Sequence, residues 1–410
     1  MSTRRFRTLR ALRGLHRHLS CVVMGNLAGL AIVALTGRPA LAREAAALFL
    51  QDRWVTGSHR LNWYLRHSRI GLLAGLDAPL FDPTTQMPDA AVAVLDDWLA
   101  GRSDLRHRLA RLHVQAQRII SASDVPTQTA AMAGFEAIVA PLVRDLPVVD
   151  PAAPAVPAGP APAFGLLHAR AALIALRRIE MPWYVISGTF LGAVREGTFL
   201  AHDYDIDVGV HAEDFDDASF RAQIAAAPDL VLVNTSAHLD LALQPDGLWR
   251  GTLRPALYRV LHASGIGIDV FVHYLDGDLR WHGSAKHRWD NHDFALKDYT
   301  IASLPVRGPA DADRYLAENY GNWRTPVTQF NCSTGTPNVR FPHNPAALAE
   351  HLRIALRRTP SREVQVARLI LWQEGHLTRS GADGTTFTLV PHSTRPMADR
   401  DCPAPSDTAR

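Results

Sequence analysis

The sequence is short of cysteine, lysine, net charge and long apolar runs. Cysteine occurs three times in 410 residues, at Cys21, Cys332 and Cys402. An odd number at such wide spacing builds neither a zinc site nor a disulfide framework. A reducing, cytoplasmic setting is the expectation. Lysine occurs only at Lys286 and Lys297. Positive charge is therefore carried by arginine, first as a coding bias and second as a source of planar phosphate contacts. The formal net charge is only +3, too small to point to nucleic acid, and no nucleic-acid partner is expected. The apolar run at 21–35, CVVMGNLAGLAIVAL, is about 15 residues long against the ~20 that a bilayer span needs. It follows the basic stretch MSTRRFRTLRALRGLHRHL and precedes Ala40 and Ala42, an A-x-A end. Residues 1–40 keep three readings. They form a helix packed on the rest of the chain or on a partner, a peripheral membrane contact with its basic side on anionic lipid at the inner face, or a cleaved signal.

What is present begins with apolar content of 47%, enough for one large core or two smaller ones. Segments such as DAAVAVLDDWLAG and DLRHRLARLHVQAQRII space apolar residues by three and four, which predicts a helical accessory region over 41–147. Prolines 151, 154, 157, 160 and 162 then exclude helix and central strand, and 148–165 reads as a semi-rigid linker. Beyond it, helical and β-rich runs alternate: LLHARAALIALRRIE, WYVISG, LVLVNTS, PALYRVLHA and GIDVFVHYLDG. The fold class expected is α/β (α+β), a catalytic domain with a mixed sheet over 166–345, preceded by an all-α N-terminal region. Residues 346–378 read as C-terminal helices and 379–410 as a disordered tail.

The chemistry sits in AHDYDIDVGV (201–210), where Asp203, Asp205 and Asp207 alternate with strand-forming residues. In a strand, positions i, i+2 and i+4 share a face, so three carboxylates crowd one side while Ile206 and Val208 turn to the other. Three harmless acids on a solvated edge strand would be the plain alternative. The apolar flanks fit a central strand instead, where unpaired charge is costly. A hard cation, Mg²⁺ or Mn²⁺, with phosphate as further ligand, resolves the repulsion. Just upstream, Ser187-Gly188-Thr189 ends a strand and opens a helix, a place where backbone N–H groups meet an anion. Arg195 in that helix is a candidate phosphate contact. Asp269, a lone acid in the apolar run GIDVFVHY, becomes a third ligand if its strand lies beside that of Asp205 and Asp207. Its alternative is a structural role, capping a turn or pairing with an arginine.

WYVISGTFLGAVREGTFLAHDYDIDVGV (183–210) closely resembles the signature of the LicD/fukutin family, within the nucleotidyltransferase superfamily. RYLAENYGNWRTP (314–326) is similar to a second family segment. The resemblance covers roughly 165–330. It implies a nucleotidyltransferase-like catalytic domain that transfers a phosphorylated alcohol, such as phosphocholine or a polyol phosphate, from a CDP-linked donor to a hydroxyl of a cell-surface glycan. The acceptor would be a sugar, in some settings lipid-linked. It further implies Asp205, Asp207 and Asp269 as metal ligands and Asp203 as a fourth acid, binding metal or taking the acceptor's proton. Ser187, Gly188, Thr189 and Arg195 match the donor-phosphate turn. The sequence departs from the family at His202, where an aromatic is usual, and at Tyr204, where an acid is usual. His202, Tyr320 and Trp323 are candidate substrate contacts. Trp281, His282, Lys286, His287, Arg288 and Trp289 make a basic and aromatic cluster that is either an acceptor patch or a surface loop. Competing readings are a nucleotidyltransferase acting on a sugar phosphate or small molecule, a glycosyltransferase with a D-x-D motif, and a catalytically silent scaffold.

Overall fold

β-Branched and aromatic runs between glycine turns supply the strands of the central part of the chain. The computed structural model describes residues 105–144, 146, 165–284, 286–327, 330–333, 335–356, 361–373, 377–380 and 384–387. The readings made for residues 1–40, for 41–104 and for nearly all of the 148–165 linker lie outside the described residues.

Among the described residues the first elements are two helices, α1 (Leu105–Ser121) and α2 (Val125–Val143). Asp124 starts α2, its carboxylate accepting from the Thr127 N–H at 2.8 Å. After the linker come α3 (Leu166–Leu176), β1 (Tyr184–Val185), α4 (Ser187–Arg195), β2 (Asp205–His211) and α5 (Asp217–Ala226). A long hairpin follows, β3 (Leu230–Leu243) and β4 (Trp249–His262), then β5 (Gly267–Asp276), β6 (Leu279–Gly283) and β7 (Arg288–His292). The chain continues through the hairpin β8 (Leu296–Ile301) and β9 (Leu304–Pro309), then α6 (Ala312–Tyr320) and β10 (Val339–Arg340). The last described elements are α7 (Pro345–Ala355), α8 (Arg362–Gln373) and the hairpin β11 (Leu377–Ser380) and β12 (Gly384–Phe387).

Among the described residues the main sheet has eight strands in the order β1-β2-β5-β6-β7-β10, with β4 also on β5 and β3 on β4. β2 and β5 pair in parallel, whereas β4 pairs with β5 antiparallel. The mixed α/β fold expected from the sequence is therefore present. Parallel neighbours need a long crossover, and α5 with the β3–β4 hairpin provides it. On one face of the β2–β5 pair, Ile206, Val208, Val210, Ile268, Val270 and Val272 are buried in a core that also holds Leu173, Leu176, Phe190, Phe220 and Leu316. Each such aliphatic side chain contributes about 1.5–3 kcal/mol of burial. That face anchors the strands, so the opposite face can carry acids.

A second core joins the two helical ends of the chain. Leu112 and Ile119 of α1 and Phe135 and Val139 of α2 pack with Leu348 and Leu352 of α7 and Leu371 of α8. The N-terminal and C-terminal helices, read from the sequence as separate segments, share one apolar cluster. Gln128 ties it to the sheet by donating to the Trp249 carbonyl at 2.7 Å and accepting from the Trp249 N–H at 2.8 Å.

Two expectations need correction. Trp281, His282, His287, Arg288 and Trp289 are buried, and all but His287 lie on β6 and β7. They form neither a surface loop nor an exposed acceptor patch. Residues 377–380 and 384–387 pair as a hairpin, so the segment expected to be disordered from 379 onward is ordered at its start. Local polarity concealed both, because the β-pairing that forms them is not visible as an apolar run.

Candidate active site

Register builds the site. β2 and β5 run side by side so that Asp207 is level with Asp269, and Asp205 with Gly267. Residues level in adjacent strands share a face, so the apolar alternation that buries Ile206 and Val208 turns Asp205, Asp207 and Asp269 together onto the other side. Carboxylate oxygens of these three acids lie within 4.8 Å of one another. Asp269 is only 3% exposed.

The turn before α4 wraps the same strand. The Ile186 N–H donates to the Asp207 carbonyl at 3.2 Å, and the Asp207 N–H donates to Thr189 Oγ1 at 2.9 Å. Both backbone groups of Asp207 are thus held by the turn. Ser187 has φ +49°, in the left-handed region that costs a residue with a Cβ. A Cβ on Gly188 would stand 2.6 Å from Asp203 Oδ2, so glycine is what lets Asp203 lie against the turn. Ile186 at the N-cap offers no side-chain acceptor, which leaves the start of α4 suited to an anion.

Crowding shows in the acid–base balance. Burial first, and then the charges of Asp203 and Asp269, push Asp205 up to about 7. Burial raises Asp207 well above the carboxylate range, with Asp205 and Asp203 adding to it. Asp203 is raised by burial, which outweighs the opposing hydrogen bond from the Tyr204 N–H and the charge of His202. The three acids are held in a state that a cation would relieve. A donor set of hard carboxylate oxygens at this spacing fits Mg²⁺, Mn²⁺ or a similar ion.

Arg259, on β4, was not singled out from the sequence. It is level with Asp269 across the antiparallel β4–β5 pair. Its Nε donates to Asp269 Oδ1 at 2.7 Å, and its Nη2 donates to Asp269 Oδ2. The structural ion-pair alternative for Asp269 is therefore real and coexists with membership of the acid cluster. The only sequence signal was a lone arginine in PALYRVLHA, and its partner depends on strand register.

The other candidates divide. Thr189 faces the Asp207 backbone and is 1% exposed. It therefore positions β2 through its hydroxyl. Arg195 lies at the far end of α4 from Ser187, about 12 Å along the helix axis. It binds the Trp323 carbonyl at 3.3 Å and Glu196 at 3.0 Å. Trp323 goes with it: its Nε1 donates to Asp313 at 3.0 Å, and Arg324 covers its ring at 4.3 Å. Tyr320 is nearer the acids. Burial and then the charge of Asp207 push its hydroxyl up, and its ring lies 5.1 Å from that of Phe330. His202 is exposed, beside Asp203.

Among the described residues, no helix is long and apolar enough to cross a membrane. Residues 180–305 match the family model described as LicD/FKTN/FKRP, nucleotidyltransferase domain. Over 173 residues, 40% of this chain, the sequence is 23% identical to ribitol-5-phosphate transferase FKTN of Mus musculus and 24% identical to that of Homo sapiens. That stretch is 34% of either relative, so the chain spans about a third of the length of the curated relatives it matches. The turn before α4, the acid strand β2, Arg259 and Asp269 all fall inside the segment that matches the LicD/FKTN/FKRP family model.

Proposed function

We propose that this chain is a metal-dependent transferase that moves a phosphorylated alcohol from a CDP-linked donor to a hydroxyl of a glycan, releasing CMP. The observation that carries the reading is the convergence of Asp205, Asp207 and Asp269 within 4.8 Å, next to a helix start whose N-cap has no side-chain acceptor. Ribitol-5-phosphate transferase, the name of the relatives above, fits a polyol phosphate as the group transferred. A bound Mg²⁺ or Mn²⁺ would neutralise charge on the donor's pyrophosphate oxygens. Asp205, Asp207 and Asp269 would hold it. The N–H groups at Gly188 and Thr189 would receive the donor phosphate. The acceptor oxygen forms a new bond to the distal phosphorus as the bond to the CMP oxygen breaks. The hydroxyl proton passes to a carboxylate oxygen of Asp203, whose affinity for a proton burial raises. Asp269 suits that role less, because Arg259 engages both of its oxygens. The nucleotidyltransferase fold, a lipid-linked acceptor and a cytoplasmic site at the inner membrane face belong to the same reading.

The family description names a nucleotidyltransferase domain, which leaves nucleotide transfer to a sugar phosphate as the second reading. One experiment separates the two. The full chain is incubated with Mn²⁺ and CDP-ribitol or CDP-choline, and separately with CTP and a sugar phosphate. CMP release on adding a glycan acceptor supports the phosphoalcohol transferase. Pyrophosphate release from CTP supports the alternative. Absence of CDP binding, with and without EDTA, would overturn the cytidine donor.

A further inference from the structure

The acid cluster has a charge problem that one divalent ion does not solve. Asp203, Asp205, Asp207 and Asp269 bring up to four negative charges, and a donor diphosphate brings two or more. Among the described residues, Arg259 is the cation ion-paired with the cluster. Its placement is unusual for a purely structural partner. Asp269 has a side chain only 5% exposed, whereas that of Arg259 is 50% exposed. The pair is made side-on through Nε and Nη2, and none of the hydrogen bonds described for Arg259 uses Nη1. A guanidinium has five N–H donors in a rigid plane, so one edge can hold a carboxylate while the other engages a phosphate. The register adds direction: Arg259, Asp269 and Asp207 stand level on three adjacent strands, β4, β5 and β2. The Arg259 charge acts on both Asp205 and Asp207, so the half-exposed guanidinium lies close to the row of acids.

Resting on the transferase reading above, we propose that Arg259 is a binding residue for the donor's diphosphate, held in place beforehand by Asp269. The bidentate pair fixes the guanidinium beside the acids, so little side-chain entropy remains to be lost when the phosphate arrives. Asp269 thereby serves two partners, the cation site and the arginine. A purely structural arginine predicts something different. It would only neutralise Asp269 so that the acid can be buried, and its removal would damage the metal site before anything else.

The test uses the full chain and three probes: Mn²⁺ alone, inorganic pyrophosphate with saturating Mn²⁺, and CDP with saturating Mn²⁺. Binding is read by calorimetry for wild type, Arg259→Gln and Arg259→Lys. The expected result for Arg259→Gln is Mn²⁺ affinity kept or raised, with pyrophosphate and CDP affinities each lowered about tenfold or more, the effect of losing a charge-assisted contact. Arg259→Lys should recover part of that loss, since it keeps the charge and loses the fork. Retained Mn²⁺ binding also shows that the variants fold. Normal pyrophosphate binding by Arg259→Gln would overturn the inference, and so would loss of Mn²⁺ binding as its main effect. If wild type binds pyrophosphate with Mn²⁺ but not CDP, the cytidine donor fails while the pyrophosphate arm still decides the role of Arg259. Wild type that binds neither would remove both.

Discussion

Asp207 and Asp269 stand level with each other in the parallel β2–β5 pair, so two carboxylates are nearest cross-strand neighbours on one face. Like charges directly opposite destabilise a sheet, and here one is 3% exposed. The arrangement persists because the other face of the same two strands is fully committed to the core through Ile206, Val208, Ile268 and Val270. Sliding either strand by one residue would put those aliphatic groups in water. Core packing thus enforces the crowding of acids that a cation would relieve.

A divalent cation should therefore stabilise the folded protein as well as serve its chemistry. Mn²⁺ is expected to raise the melting temperature of wild type, because a ligand bound only by the folded state adds to its stability. Asp207→Asn should melt higher than wild type in EDTA at neutral pH, since burial raises Asp207 well above the carboxylate range and the amide removes the cost of burying or protonating that group, and should respond less to Mn²⁺. Differential scanning calorimetry decides this. An equal Mn²⁺ shift in an Asp205→Ala/Asp207→Ala double variant would remove the metal role from these residues.

Turnover should fail in the same variants for a separate reason. Asp205→Ala and Asp207→Ala are each expected to lower CMP release by several orders of magnitude while circular dichroism shows a folded chain. Neither side chain is part of the apolar core, so its removal opens no cavity there. Near-normal turnover in either variant would contradict the proposed mechanism.

Thr189 gives a test of positioning. Its hydroxyl is the acceptor for the Asp207 N–H at 2.9 Å in a buried setting. Thr189→Val keeps the shape and leaves that N–H without its partner, which costs about 1–3 kcal/mol. Urea denaturation should show this loss, and Mn²⁺ affinity should fall because β2 is no longer held against the turn. Thr189→Ser should restore most of both. A valine variant as stable as wild type with unchanged Mn²⁺ affinity would show that the hydroxyl is dispensable.

The acid strand was legible because its pattern is local: alternation alone put Asp205 and Asp207 on one face. The glycine turn was legible for the same reason, although the particular use of Gly188, room for the Asp203 carboxylate, was not. Asp269 could be named but not placed, because adjacency of β2 and β5 is a long-range pairing across more than fifty residues of chain. Arg259 was invisible as a site residue, since only the β4–β5 register brings it to Asp269. Arg195 lies in the helix that the sequence assigned, at the end away from Ser187. β6 and β7 were concealed because Trp281, His282, Arg288 and Trp289 look like a surface patch in sequence, whereas stacking and ion pairing bury them. The rings of His282 and Trp289 stack at 5.3 Å, and Arg288 sits 4.5 Å over Trp281 while donating to Asp290.

Those buried histidines make the fold acid-sensitive. Burial lowers His282 to about 3, and burial together with the Lys286 charge lowers His287 to about 3. Both compare with about 6.5 in an unfolded chain. The unfolded state thus takes up protons that the folded state refuses, so this contribution is complete above pH 6.5 and is lost as the pH falls toward 3. Asp205, raised to about 7 by burial, acts in the opposite direction in metal-free protein, gaining stability as the pH drops. The measurement must therefore be a difference. His282 stacks on Trp289 and lies 4.4 Å from His273, so His282→Phe keeps an aromatic ring in place and removes one titrating group. Between pH 6.5 and pH 5, wild type should lose roughly 2 kcal/mol of unfolding free energy relative to His282→Phe. Parallel stability curves for the two proteins over that range would show that His282 takes up protons as readily folded as unfolded.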